Sequence, residues 1–143
     1  MRVFLLLIWG GFIFICTCTS DFNILAETGE IRFLWDSQPD FSELLLPLPE
    51  ELNSAFILQK SGHIIAFLVL TVLLLEKIKS QAVGFALALI CAVFTEFLQL
   101  YFGRDGRLFD IGIDTVGIFL ALGICTFIIK REMPQIAIRE QSN

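Results

Sequence analysis

The chain alternates long apolar runs with short charged breaks, and this rhythm predicts its architecture. After Arg2, the run "VFLLLIWGGFIFICTCT" fills positions 3–19 without a charge. A second run begins near Ser54, reads "AFILQKSGHIIAFLVLTVLLL" from Ala55 to Leu75, and is closed by "EKIKS". A third, "AVGFALALICAVFTEFLQ", starts at Ala82, and the fourth opens at Asp110 and stops before Lys130-Arg131. Apolar residues lie on every side of these stretches, which leaves no face for water. Runs of roughly 17–25 residues match the thickness of a bilayer core. The pattern predicts an all-α integral membrane protein with four transmembrane helices at about 3–19, 54–75, 82–100 and 110–129. These form one domain over residues 1–133, followed by a short cytoplasmic tail at 134–143.

The first run also fits a secretory leader, since a basic residue precedes the apolar core and small residues follow it. Gly10-Gly11 allows either a close helix contact or a kink there. Residues 20–53 form an outer loop, and the polar segment from Asp21 to Gln59 holds eight acids and prolines at 39, 47 and 49. Islands such as "FSELLLPLP" predict a loop that lies back on the protein or the membrane, with a short helix. Asn53-Ser54 supplies an N-cap for the second span.

Composition supports this reading. The chain has 143 residues, 56% of them hydrophobic and 17% charged, with a mean hydropathy of +0.78. That length fits one domain. A net charge of −5 argues against nucleic acid as a partner. Cys16, Cys18, Cys91 and Cys125 sit in or beside apolar runs without metal-ligand spacing, so they read as small apolar fillers.

Charge sets the expected orientation. With four alternating spans, Arg2, Lys77, Lys79, Lys130 and Arg131 fall on one side, which the positive-inside rule makes cytoplasmic together with both termini. The acidic loop and the "YFGRDGRLF" turn then face outward. Arg104 and Arg107 stand against the rule, so an anion must hold them there, either a phospholipid head group or an internal carboxylate (Asp110 or Glu96).

That topology also gathers the polar residues. Lys60 and His63 lie at the outer start of span two. Glu96 and Gln99, three apart on one helical face, lie at the outer end of span three. Asp110 and Asp114, four apart, open span four, and Gly117 continues their face. Ionisable groups at this depth face the bundle interior and mark a site or a pairing device. The structural alternatives are a Glu96 pair with Arg104 or Lys60, an N-cap at Asp110, and glycines at 103 and 106 that bend the turn.

These residues carry a family likeness. Lys60, His63 and Phe67 begin one span; Glu96 and Gln99 precede a turn with Arg104; Asp110, Asp114 and Gly117 open the last span. The combination resembles the VanZ-like family of small bacterial membrane proteins over about residues 54–128. Two departures are Asp114, where the family usually has Asn, and a slightly short turn that lacks the proline often found before the arginine. The resemblance implies a multi-pass protein of the bacterial cell membrane with a cell-envelope role. The member that named the family is associated with low-level teicoplanin resistance, and no reaction is attached to the fold.

Two functional readings follow. In one, an outward-facing polar pocket binds or processes an anionic envelope molecule, a lipid phosphate or a cell-wall precursor. Lys60, Arg104 and Arg107 hold the anion, with Gln99 adding hydrogen bonds. His63 and Glu96 are the acid–base candidates, with Asp110 and Asp114 orienting His63 or completing the polar shell. Phe67 and Gly117 are structural. In the other, the same charges lock the helices together in a non-catalytic scaffold or interaction protein. Transport is a third reading that would need several copies. No cofactor is expected. A divalent ion on His63, Glu96, Asp110 and Asp114 is the lesser alternative, because no compact ligand motif appears. Membrane lipids are the expected partners, and the oligomeric state is left open.

Overall fold

The computed structural model describes the backbone of residues 2–47 and 54–141, and side chains within those ranges except at 2, 55 and 129–141. These residues form five α-helices, α1 (Arg2–Cys18), α2 (Phe22–Thr28), α3 (Ser54–Ile78), α4 (Gln81–Tyr101) and α5 (Leu108–Gln141), with a 3-10 turn at Phe41–Leu45. No strand forms among the described residues.

Among the described residues, three helices are long and apolar enough to cross a membrane: α3 over Phe56–Ile78, α4 over Gln81–Tyr101 and α5 over Leu108–Ile128. The count reaches four if α1 and α2, bent by 117° across a short break, form one span. Only 22% of the apolar windows of α3 and α5, and 39% of that of α4, is buried. Ile90, Phe94, Phe119 and Phe127 point outward, each more than half exposed. In water that surface would be ruinous; in lipid it is ordinary solvation.

The end of α5 departs from expectation. Lys130-Arg131 ends the apolar run but not the helix, which continues through Pro134 to Gln141. Lysine, arginine and glutamate are good helix formers, so Lys130, Arg131 and Glu132 stop a span without stopping a helix. The Asn53 cap and Pro49 lie outside the described residues.

α3 and α5 form the closest pair in the bundle, and Gly117 explains the intimacy. A Cβ at Gly117 would collide with the Ile64 carbonyl oxygen, so the two backbones touch directly. Phe67, Ile118, Ala88 and Ala92 fill the centre, with Ile13 joining from α1. Trp9 Nε1 donates to the Ala66 carbonyl at 2.9 Å and binds α1 to α3. Gly10 and Gly11 meet open space, and α1 runs through them without a break. The four cysteines are free thiols.

The 20–47 segment folds back onto one end of the bundle. Asp21 caps α2, with its Oδ1 accepting from the Asn23 and Ile24 amides. Ser20 N–H donates to the Arg32 carbonyl at 2.7 Å, and Asp36 N–H to the Tyr101 carbonyl at 2.8 Å. Trp35 stacks on Tyr101 at 5.5 Å between centroids, and Phe14, Phe33 and Phe102 extend the aromatic patch. This is the loop end of the molecule.

Candidate functional site

The polar residues that α3, α4 and α5 bring to the loop end meet in one buried cluster. Phe56, Gln59, Lys60 and His63 recur at helical spacing, so α3 turns all four toward the same side. Glu96 and Gln99 occupy the last turns of α4, and Asp110 and Asp114 the first turns of α5. His63 is 8% exposed, Asp110 2%, Gln99 1%, and Glu96 and Asp114 are fully buried.

Each group has a defined partner. His63 Nδ1 lies 3.0 Å from Asp114 Oδ1. Lys60 Nζ lies 2.7 Å from Asp110 Oδ2 and 5.1 Å from the Phe56 ring centroid. Gln99 Nε2 donates to Glu96 Oε1 at 2.7 Å, and the Arg107 backbone N–H donates to Glu96 Oε2 at 2.9 Å. Glu96 therefore holds the α4–α5 turn through its backbone, and pairs with neither Arg104 nor Lys60. His63 is oriented by Asp114, while Asp110 sits in the first turn of α5 as the partner of Lys60. Asp110 Oδ1, Asp114 Oδ2 and Arg107 Nε are buried without a hydrogen-bond partner among the described residues.

The two arginines take partners different from those expected. Arg104 Nη1 reaches 3.2 Å from the carbonyls of both Cys16 and Thr19, closing the C-terminal end of α1. Arg107 Nη2 pairs with Asp105 at 2.7 Å, not with Asp110 or Glu96. Burial lowers the pKa of Arg104, while Glu96 and other acids nearby oppose the shift. Gly103 has a φ of 65°, which supplies the bend. Gly106 serves close packing instead, since a Cβ there would strike the Glu96 carbonyl oxygen.

Above the cluster, a cavity of about 270 Å³ is lined by Ser20, Phe56, Gln59, Lys60, Gly103, Arg104, Asp105, Arg107 and Asp110. Three cations thus face two carboxylates. An apolar crevice of about 130 Å³ runs between α1 and α3 past Phe12, Ile13, His63 and Phe67, and Gln59 lines both spaces. The sequence reading missed Phe56, Gln59 and the α1 carbonyls. The first two were signalled by their spacing from Lys60 and His63. A carbonyl left free by a helix end carries no residue-type signal at all.

A family model described as VanZ/LLP1 matches residues 3–130. The uncharacterized membrane protein YwnJ of Bacillus subtilis (strain 168) is 39% identical over 137 residues, covering 92% of this chain and 95% of that protein. No solved structure matches the chain. With the apolar helices, these matches identify a multi-pass membrane protein that belongs to the VanZ/LLP1 family.

Proposed function

We propose that the loop end faces outside the cell and that its cavity binds the phosphate head of an anionic envelope lipid or lipid-linked cell-wall precursor. The observation that carries this reading is the convergence of Lys60, Arg104 and Arg107 on one cavity whose rim residue Gln59 also lines an apolar crevice. A polar cavity beside an apolar slot matches an amphiphile, with the head held by guanidinium and ammonium groups and a chain lying along Phe12 and Phe67. His63 and Glu96 lie deeper, as the acid–base candidates for any processing of the bound head group.

Native mass spectrometry of protein purified in mild detergent tests the reading, with Arg104→Gln and Arg107→Gln compared at matched folded yield. Retention of a phosphate-bearing lipid by wild type, lost in both variants, is the expected result. Equal retention of ordinary lipids by all three proteins would refute it. A change in mass of an added dioleoyl phosphatidate would reveal processing.

A second reading has its own observation. Lys60, Arg104 and Arg107 each already have an internal partner, in Asp110, the α1 carbonyls and Asp105. Those contacts support a scaffold in which charge holds the helices together. In that case Arg104→Gln and Asp110→Asn lower the amount of folded protein without changing which lipids it retains.

A further inference from the structure

Beneath the cavity the charges do not balance. Glu96, Asp110 and Asp114 are three carboxylates at most 2% exposed, and the ammonium among them is Lys60, already engaged by Asp110. The Arg104 guanidinium is turned to the carbonyls of α1. Arg104 acts on Glu96 and Asp110 only through space, so Glu96 and Asp114 have no lysine or arginine side chain in contact among the described residues. Protons or a doubly charged cation must supply the close positive charge that buried carboxylates need.

The arrangement favours the cation. His63, Glu96 and Asp114 each place one donor atom within 4.8 Å of the other two. A divalent ion with ligands at about 2.0–2.2 Å holds adjacent donors roughly 3.0–3.6 Å apart, so side-chain rotations that draw the three atoms inward by up to about 1–2 Å close the shell. Nδ1 of His63 and Oδ1 of Asp114 share a hydrogen bond at 3.0 Å, which is also the separation of adjacent ligands, so an ion bound between them replaces the shared proton. Asp114 is fully buried, and its Oδ2 has no partner among the described residues. Glu96 is held from behind by Gln99 Nε2 and the Arg107 amide, the outer support that metal-ligating carboxylates commonly have.

We infer that His63, Glu96 and Asp114 form a buried site for a divalent first-row cation, in the manner of Zn²⁺ or Mn²⁺. One imidazole with two carboxylates suits these borderline ions better than Ca²⁺, which takes oxygen ligands, or Cu⁺, which takes sulfur. The site stands independently of whether the cavity above it holds a lipid. It spans α3, α4 and α5, so the ion ties all three helices at the loop end.

The chain contains a single histidine, which makes the test specific. The full-length protein carrying a histidine-free affinity tag is stripped with chelator, returned to Mn²⁺ or Zn²⁺ alone, and assayed for bound metal. About one equivalent is expected. Mn²⁺ pulsed EPR should show nitrogen coupling that changes when ¹⁴N-histidine is replaced by ¹⁵N-histidine. Asp114→Asn and His63→Asn should each weaken binding at least tenfold, while Asp40→Asn in the outer loop leaves it unchanged. Failure to bind metal, binding without nitrogen coupling, or affinity lost equally in Asp40→Asn would overturn the assignment and leave protons to neutralise the cluster. The spectroscopic result on the wild-type protein decides the matter even if a variant does not fold.

Discussion

The ammonium of Lys60 and the carboxylate of Asp110 meet at 2.7 Å, with side-chain exposures of 12% and 3%, and so join α3 to the first turn of α5. A pair this dry is asymmetric in its energetics. Removing one partner strands the other, whereas removing both leaves an apolar contact. Lys60→Met is therefore expected to destabilise the protein by about 3–5 kcal/mol. Lys60→Met combined with Asp110→Leu should recover most of that loss. Unfolding titrations in mixed micelles measure both, and additive losses in the double variant would show that the pair is not a unit.

Gly117 and Gly112 lie about 1.4 turns apart on α5 but differ in role. A methyl at Gly117 would meet the Ile64 carbonyl, whereas one at Gly112 meets nothing within 4 Å. Gly117→Ala is expected to cost about 1–3 kcal/mol through overpacking. Gly112→Ala should be neutral or stabilising by up to about 1 kcal/mol, because alanine is the better helix former. Equal thermal stabilities for the two variants would argue against the backbone contact.

Orientation is open to a chemical test. In a chain with its four cysteines replaced, Gln38→Cys lies in the 20–47 segment at the loop end and Lys77→Cys near the far end of α3. A membrane-impermeant thiol reagent added to intact cells should label position 38 and spare position 77 until the cells are opened. Reversed labelling would place the cavity on the cytoplasmic side and remove the envelope ligand from consideration.

Trp35 is 66% exposed while stacked on Tyr101, and Leu34 beside it is 65% exposed. Aromatic residues at such a boundary favour the head-group layer. With Trp9→Phe leaving Trp35 as the single tryptophan, lipids brominated near the head group should quench its fluorescence more than lipids brominated near the chain terminus. Quenching by a water-soluble agent alone would place the loop in solvent.

Much of the bundle was legible because lipid exposure imposes a simple rule, apolar on every face, and spans end where charges interrupt it. The gathering of Lys60, His63, Glu96, Gln99, Asp110 and Asp114 followed from counting crossings. Their pairing did not follow, since Lys60 choosing Asp110, and His63 choosing Asp114, depends on the rotation of α3 against α5. That rotation goes with the close approach of Gly117 to the Ile64 backbone carbonyl. The first helix was also harder to place. Its 17 residues make it short for a span, and the sharp turn into α2 rests on a cap at Asp21 that composition does not reveal. The extension of α5 beyond Ile128 leaves no mark in the hydropathy pattern, because lysine, arginine and glutamate end an apolar run yet remain good helix formers.

Arg104 has a consequence for assembly. The carbonyls to which it donates, at Cys16 and Thr19, are synthesised 88 and 85 residues earlier. During biogenesis the end of α1 must wait, its polar groups served by water and head groups, until the α4–α5 turn has been made. The last hairpin thus completes the first helix. A chain arrested after α3 lacks that closure, so a ribosome-bound intermediate of this length should expose the end of α1 to proteolysis, and the full-length protein should protect it.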